Sequence, residues 1–325
     1  MKAIMYHKYG SPDVLRLEET EKSVARDNEV LIHVRAASVN PRDWHLIRGR
    51  PYLLRLMAGL GKPKDTRVGA DVAGVVEAAG ANATEFRAGD EVFGTCRGAF
   101  AELACAPESE LVKKPAGIPF EQAAAVGIAG YTALQGLRDH GQVQAGQKVL
   151  INGAAGGVGT FAVQLAKWMG AEVTGVCSSP NVELVRGLGA DRVIDYTGEN
   201  FTRGPQRYDV IFDLAGNVSF GTCRRVMNPK GTFIVCGGGG PDRRWMLGMI
   251  AAPLAARAMS PFVSQRRAGL LARRKKEDLA LLGGLIESGK VRVVVDRCYA
   301  LGEAADAVRH VEGGHARGKV VIAIA

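Results

Sequence analysis

The chain has 325 residues, 47% of them apolar and 23% charged, and carries a formal net charge of +9. The length exceeds one ordinary core, so two domains are expected, and the balance is that of a soluble globular protein. Six cysteines (Cys96, Cys105, Cys177, Cys223, Cys236 and Cys298) are scattered without a CxxC pair, which argues against a disulfide framework and fits a reducing cytoplasm.

The start, MKAIMYHKYG, alternates like a strand and lacks the apolar stretch of a secretory leader. EVLIHVRAASV (29–39), DVAGVVEAAG (71–80) and DEVFG (90–94) then alternate or run apolar between Gly, Asn and Asp, as short strands do. After Pro119 the pattern changes. EQAAAVGIAGYTALQGLRD (121–139) reads as helix, KVLIN (148–152) as a buried strand and GVGTFAVQLAKWMG (157–170) as helix. EVTGVC (172–177), NVELVRGLG (181–189) and DRVIDY (191–196) continue as strand, helix, strand, followed by the strands in YDVIFDLAG (208–216) and GTFIVCGG (231–238). Strand alternating with helix implies right-handed crossovers and a parallel sheet covered on both faces. After 289 the strand pattern returns in KVRVVVDRCYAL, then a helix EAADAVRHVEGG, then GKVVIAI. The expectation is an α/β protein: a β-rich domain of residues 1–122 and 265–325, split by a doubly wound domain of residues 123–264.

Between those halves, the apolar run 245–262 is broken by Arg257 and two prolines, so no membrane span is expected. Next to it stand Arg266, Arg267, Arg273, Arg274, Lys275 and Lys276. They read as a solvated helix face, or alternatively as a surface for anionic lipid over 245–276. No nucleic-acid motif accompanies the charge, so no nucleic-acid partner is expected.

The chemistry starts at INGAAGGVGT (151–160). A strand leads straight into the turn and a helix leaves it, which is the setting of a dinucleotide fingerprint. The spacing is Ala154-x-Gly156-x-x-Gly159. Gly156 lets backbone approach a pyrophosphate, Gly159 lets the helix pack on its strand, and the helix N-terminus offers free N–H groups. Ala155, Gly156, Gly157 and Val158 are the cofactor candidates; a plain glycine-rich turn is the alternative. Ala154 stands where a turn glycine is usual, and Gly153 beside it can assist. The second strand ends at Cys177, followed by Ser178, Ser179, Pro180 and Asn181. No carboxylate stands there to hold a ribose 2′-OH or repel a 2′-phosphate, and two hydroxyls can donate to one. NADPH is therefore expected over NADH.

Seven blocks, in order, carry a family resemblance: SVNPRDWHLIRG (38–49), GADVAG (69–74), GDEVFG (89–94), AAVGIAGYTALQGL (124–137), AAGGVGTFAVQLAK (154–167), LGADRVIDY (188–196) and GHARGKVVI (314–322). With them the whole chain resembles the zinc-independent branch of the medium-chain dehydrogenase/reductase superfamily, the quinone oxidoreductases and alkenal (enone) reductases. The resemblance implies a GroES-like β domain, a Rossmann domain and a homodimer. It places the 2′-phosphate near Ser178, Ser179 and Tyr196, although Pro180 stands where many relatives carry Lys or Arg. It places Thr132, Asn217, Gly237 and Gly238 near the nicotinamide, and offers Arg317 and Lys319 as further cofactor contacts, a surface strand charge being the alternative for Lys319.

Zinc members of the superfamily carry an early ligating Cys, a Gly-His-Glu block and a lobe of four closely spaced Cys. This chain has Asn40-Pro41-Arg42-Asp43 at the first position and Gly69-Ala70-Asp71 at the second, with only Cys96 and Cys105 between Gly94 and Lys114. A closed four-ligand site cannot form from these, and no zinc is expected. Alcohol oxidation needs the hydroxyl proton removed as hydride leaves, a task zinc performs by stabilising the alkoxide. Hydride addition to an activated C=C or a quinone spreads its charge over an enolate, which one or two hydrogen-bond donors hold, each worth about 3–4 kcal/mol.

Asn40 and Asp43 match the family's N-x-x-D block, Asn40 as an amide donor and Asp43 as an orienting group, with a turn-forming role as the alternative. Tyr52 approximates a substrate-facing tyrosine of relatives and offers its phenol to the developing oxyanion, or else packs. His45, beside Trp44, reads as structural. The apolar-then-basic segment 52–67 reads as a helix packed on the β domain or as a lining for an apolar substrate. The functional expectation is an NADPH-dependent, zinc-independent oxidoreductase passing hydride to quinones or α,β-unsaturated carbonyls. The alternatives are an enoyl-thioester reductase, or a cofactor-binding or membrane-surface protein with little turnover.

Overall fold

The computed structural model describes residues 1–236 and 264–325. The chain forms two compact units, Met1–Tyr131 with Arg274–Ala325, and Thr132–Arg273. These limits lie nine residues beyond the boundaries expected at 122/123 and 264/265, for a physical reason at each. The helix Gly127–Gln135 begins on the β unit, where the Ile128 N–H donates to Asp71 Oδ1 at 2.9 Å. The strand Arg266–Gly269 pairs in parallel with Met227–Val235 and so belongs to the other sheet.

The first unit is built on the eleven-residue strand Glu29–Val39, whose apolar side chains are buried on both faces. It pairs antiparallel with Asp71–Ala79, Leu103–Pro107 and Lys319–Ala323. The sheet continues through Glu91–Thr95 to Leu111–Lys113 on one side and to Val295–Ala300 on the other. Register decides what meets at one end. Ser38 stands opposite Asp71 and Val39 opposite Val320, so Asn40, Asp71 and Lys319 come together where three strands end or begin. The core beneath includes Ile32, Val34, Ile47, Phe100 and Val320.

Among the described residues the second unit carries a six-stranded, wholly parallel sheet: Arg192–Asp195, Glu172–Cys177, Lys148–Asn152, Tyr208–Asp213, Met227–Val235 and Arg266–Gly269, in that order. Chain order runs outward from Lys148–Asn152 in both directions, so the sheet reverses between that strand and Tyr208–Asp213. A doubly wound sheet takes its ligand in the crevice at such a point, outside the carboxyl ends of the strands.

Arg266 and Arg267 lie on the edge strand, not on a helix face as read from the sequence. Arg274 bridges Glu110 at 2.7 Å and Lys276 pairs with Glu85, so part of the basic run is neutralised. The apolar residues 245–263, and with them most of the lipid surface read over 245–276, lie outside the described residues. Among the described residues no helix is long and apolar enough to cross a membrane.

Candidate active site

In the β unit, Asn40 precedes the helix Pro41–Arg48, which Pro41 opens and the left-handed Gly49 closes. Asp43 Oδ2 accepts the Asn40 N–H at 2.8 Å, half of a capping box. The Asn40 side chain is fully engaged. Its Nδ2 donates to the Ser38 carbonyl at 3.2 Å and to Asp71 Oδ2 at 2.9 Å, and its Oδ1 accepts from Lys319 Nζ at 2.7 Å. Lys319 Nζ also donates to the Val39 carbonyl at 3.2 Å and lies 3.5 Å from Asp71 Oδ2. Asp71 Oδ2 accepts the Ser38 hydroxyl at 2.9 Å. All five side chains are buried.

This network bears on three of the expected site residues. Asn40 has no amide hydrogen left for a substrate oxygen, because both are spent within the protein. Asp43 is structural and orienting: burial pushes its carboxyl up to about 6, against the opposing Asn40 N–H. Lys319 is not a surface charge; it is a buried cation whose pKa burial lowers and the Asp71 and Asp43 carboxylates support, and its ammonium is held within the protein. Sequence reading missed Asp71, which the motif GADVAG contains. Its second oxygen caps the helix at Ile128, and a Cβ on Gly127 would overlap that oxygen. The glycine of GIAGYT is therefore a signal of the carboxylate beside it.

In the second unit the glycine turn divides its labour differently from the simple fingerprint. Gly153 takes φ +88° and makes the sharp turn, while Ala154 is buried and donates its N–H to the Val176 carbonyl at 3.0 Å. A Cβ on Gly159 would overlap the Gly153 carbonyl oxygen, so the helix Gly157–Trp168 can lie against its strand only with glycine there. Gly156 is the helix N-cap, and a Cβ there meets only the Gly153 oxygen at 3.5 Å. Its bareness serves no internal packing. Together with the free first-turn N–H groups of Gly157, Val158 and Gly159, it suits an anionic ligand.

At the sheet reversal, Asn152 Nδ2 donates to Asp213 Oδ1 at 2.9 Å and to Asn217 Oδ1 at 2.8 Å, and the Gly216 N–H also donates to Asp213 Oδ1. Asn217 is exposed, and holding its oxygen this way turns its amide N–H groups outward. Asp213 is buried, its Oδ2 has no partner, and burial raises its pKa. Neither Asn152 nor Asp213 was singled out from the sequence; their signal was their place at the ends of KVLIN and YDVIFD.

The remaining candidates are dispersed. Ser178 Oγ accepts from Asn181 Nδ2 at 3.0 Å. Ser179 Oγ lies 3.0 Å from Thr197 Oγ1 and hydrogen-bonds Asp195, whose carboxyl is held below its usual range by Ser179 and Thr197. Asp195 stands beside Cys177 in register, so a carboxylate is present near the end of the second strand after all, supplied by its neighbour. Tyr196 is exposed. Thr132 is buried, and Arg317 is exposed with its backbone N–H on Asp296. Tyr52 is 64% exposed, with the Arg55 guanidinium 4.9 Å above its ring, so it does not pack. His45 stacks on Trp44 at 3.6 Å and bonds the Arg50 carbonyl through Nδ1, a structural place. Gly237 and Gly238 lie outside the described residues.

A split β unit joined to a doubly wound sheet with a glycine turn at its reversal defines a dinucleotide-dependent oxidoreductase. Comparison with known proteins agrees. Residues 26–116 match the alcohol dehydrogenase GroES-like domain and residues 188–322 the zinc-binding dehydrogenase family. The chain is 33% identical to a quinone oxidoreductase of Pseudomonas aeruginosa, over 99% of both chains. It is 34% identical to the NADPH-dependent alkenal/one oxidoreductase, chloroplastic, of Arabidopsis thaliana, over 99% of this chain and 79% of that one. The solved structure of the quinone oxidoreductase of Coxiella burnetii superposes with a TM-score of 0.87 at 31% identity, covering 100% of this chain and 99% of that one. The chain belongs to the medium-chain dehydrogenase/reductase family, in its quinone oxidoreductase and alkenal reductase branch, and is a nicotinamide-dependent oxidoreductase.

Proposed function

We propose that the protein uses NADPH to reduce quinones or α,β-unsaturated carbonyls without a metal. The observation that carries this reading is the closed Asn40–Asp71–Lys319 network. It fills the place where zinc members carry their ligands, with Ala70 at the histidine position. This donor set does not fit a zinc ion. The Asn40 oxygen is taken by an ammonium, Ala70 has only a methyl group, and Cys96 is buried with its thiol pKa raised. No step is therefore routed through a metal, and the substrate classes are those whose reduction leaves charge on a conjugated oxygen.

The second unit fits a dinucleotide. Gly156 and the first-turn N–H groups of Gly157 and Val158, with Ala155 beside them, would hold the pyrophosphate, and Ser178, Ser179 and Tyr196 the adenosine end. The Asn217 amide, oriented through Asn152 and Asp213, would hold the nicotinamide end with Thr132. Bound there, the cofactor supplies hydride. The exposed Tyr52 phenol is the donor this reading uses, while Asn40 and Asp43 fix the helix that precedes it. The name of the Arabidopsis relative supports NADPH; Asp195 opposes it. Family resemblance supports a homodimer as the working form, and the scattered, unpaired cysteines support a reducing compartment.

The test is NADPH oxidation followed against 1,4-benzoquinones, 2-alkenals and saturated ketones, with NADP⁺ reduction followed against saturated alcohols. Turnover of the first two classes is expected. Activity confined to saturated alcohols or ketones would overturn the reading.

A further inference from the structure

The segment after the helix Pro41–Arg48 breaks the usual rule for apolar side chains. Tyr52, Leu53, Leu56, Met57 and Leu60 are all exposed, Met57 at 84% and Leu60 at 71%. Most other large apolar side chains exposed among the described residues stand singly along the sequence. Leu53, at the N-cap, and Leu56 and Met57 follow the i, i+3, i+4 spacing of one helical face, Leu60 follows just past Gly59, and the helix Leu54–Ala58 has no buried residue. An amphipathic face ordinarily turns to the core; this one turns away from it.

The backbone beneath the stripe is tied down. The Tyr9 hydroxyl donates to the Gly59 carbonyl at 2.7 Å, Arg55 Nε donates to the Gly49 carbonyl at 3.0 Å with its guanidinium 4.4 Å above the Tyr9 ring, and the Lys64 N–H donates to the Ala58 carbonyl at 2.8 Å. Pro63 is buried. The apolar stripe is thus presented on an anchored lobe. Along the sequence the charge flanking the stripe has one sign: Arg50, Arg55, Lys62 and Lys64, with no acidic residue between Asp43 and Asp65. Asp65 itself is held by Arg67 at 3.0 Å. Arg50, Lys62 and Lys64 are exposed.

We propose that this lobe, residues 50–64, docks on an anionic lipid bilayer, with Leu53, Leu56, Met57 and Leu60 entering the headgroup–acyl boundary and Arg50, Lys62 and Lys64 meeting the lipid phosphates. An exposed apolar face with an acid-free basic rim is the combination that such a surface binds, each cation near the lipid phosphates and each inserted side chain adding to affinity. The surface differs from the 245–276 stretch read from the sequence, whose basic end is partly paired with Glu85 and Glu110. Resting on the proposed function, docking would favour lipid-soluble, long-tailed quinones over water-soluble ones.

The experiment is co-sedimentation of the full chain with vesicles of phosphatidylcholine and phosphatidylglycerol, against vesicles of phosphatidylcholine alone. Binding to the anionic vesicles, weakened by salt, is expected. Leu56→Ser with Met57→Ser and Leu60→Ser should weaken it at least about tenfold, and Lys62→Glu with Lys64→Glu comparably. These side chains are exposed, so melting temperatures should stay in place. Absence of binding, or binding that neither variant changes, overturns the proposal. So does an analytical sedimentation result in which the apolar variant dissociates a dimer, since the stripe would then be covered by a second copy. Turnover of water-soluble 1,4-benzoquinone, read without vesicles, reports on the reductase reading separately. Anionic vesicles should raise turnover of a long-tailed quinone by the wild type and not by the apolar variant.

Discussion

Two carboxylates carry opposite shifts, and each leads to a measurement. Asp43 keeps its proton to about pH 6 in the folded chain because burial penalises its charged form. Unfolded, the same carboxyl titrates near 4. Between those values the folded state binds the extra proton, so stability falls as pH rises from about 4 to about 6, by up to about 3 kcal/mol. Asp43→Asn keeps an oxygen for the Asn40 N–H and removes the titration. Urea unfolding across that window should show a pH-dependent difference between wild type and variant; a constant difference would place the Asp43 pKa at its ordinary value. Asp195 is shifted the other way, chiefly by the Ser179 hydroxyl, and is ionised at neutral pH. Its charge next to Ser179 disfavours a 2′-phosphate there. Asp195→Asn should raise the NADPH-to-NADH affinity ratio by about tenfold. Calorimetric titration with both nucleotides measures it, and an unchanged ratio would remove the 2′ position from that end of the sheet.

At the scale of elements, the two glycines of the turn make a contrast. A Cβ on Gly159 collides with backbone, the Gly153 oxygen and Ala154, which no side-chain rotation relieves. Gly159→Ala should cost about 1–3 kcal/mol by parting helix from strand. A Cβ on Gly156 meets one atom at ordinary distance, so Gly156→Ala should leave the melting transition in place and weaken dinucleotide binding. Equal effects of the two on stability would refute this division of roles. Strands 29–39, 148–152 and 172–177 were legible to the residue because their apolar runs end at Gly, Asn or charged residues. Arg266–Gly269 was not, since its sequence is basic and its pairing with residues 232–235 is made by the sheet. Of the two readings of 52–67, packing of the helix Leu54–Ala58 on the β domain is not what the structure shows: periodicity reveals a stripe but not which side is covered. In the site, Asn40 and Asp43 were found by motif, and of the two roles offered for Asn40 the amide hydrogens spent within the protein favour the turn-forming one. Its partners Asp71 and Lys319 lie 31 and 279 residues away, and strand register alone brings them together.

At the scale of the whole molecule, two units of similar standing carry different parts of the chemistry, and only one holds the glycine turn. A ligand that binds the folded chain and not the unfolded one raises stability by about 2.7 kcal/mol when present at a hundred times its Kd. For a unit of roughly 150 residues each kcal/mol moves the midpoint by about 2–4 °C, so NADPH at that excess should raise the melting temperature by about 5–10 °C. The net charge of +9 adds a non-specific attraction for any polyanion, which salt screens. The shift must therefore survive physiological salt and exceed that produced by inorganic pyrophosphate at equal concentration. Differential scanning calorimetry with NADPH, NADH and pyrophosphate makes the comparison. A shift with pyrophosphate as large as with NADPH would show that charge alone is being read. No shift with either nucleotide would remove the crevice at the sheet reversal as a dinucleotide site, and with it the assignment of Asp213, Asn152 and Asn217 to the nicotinamide end.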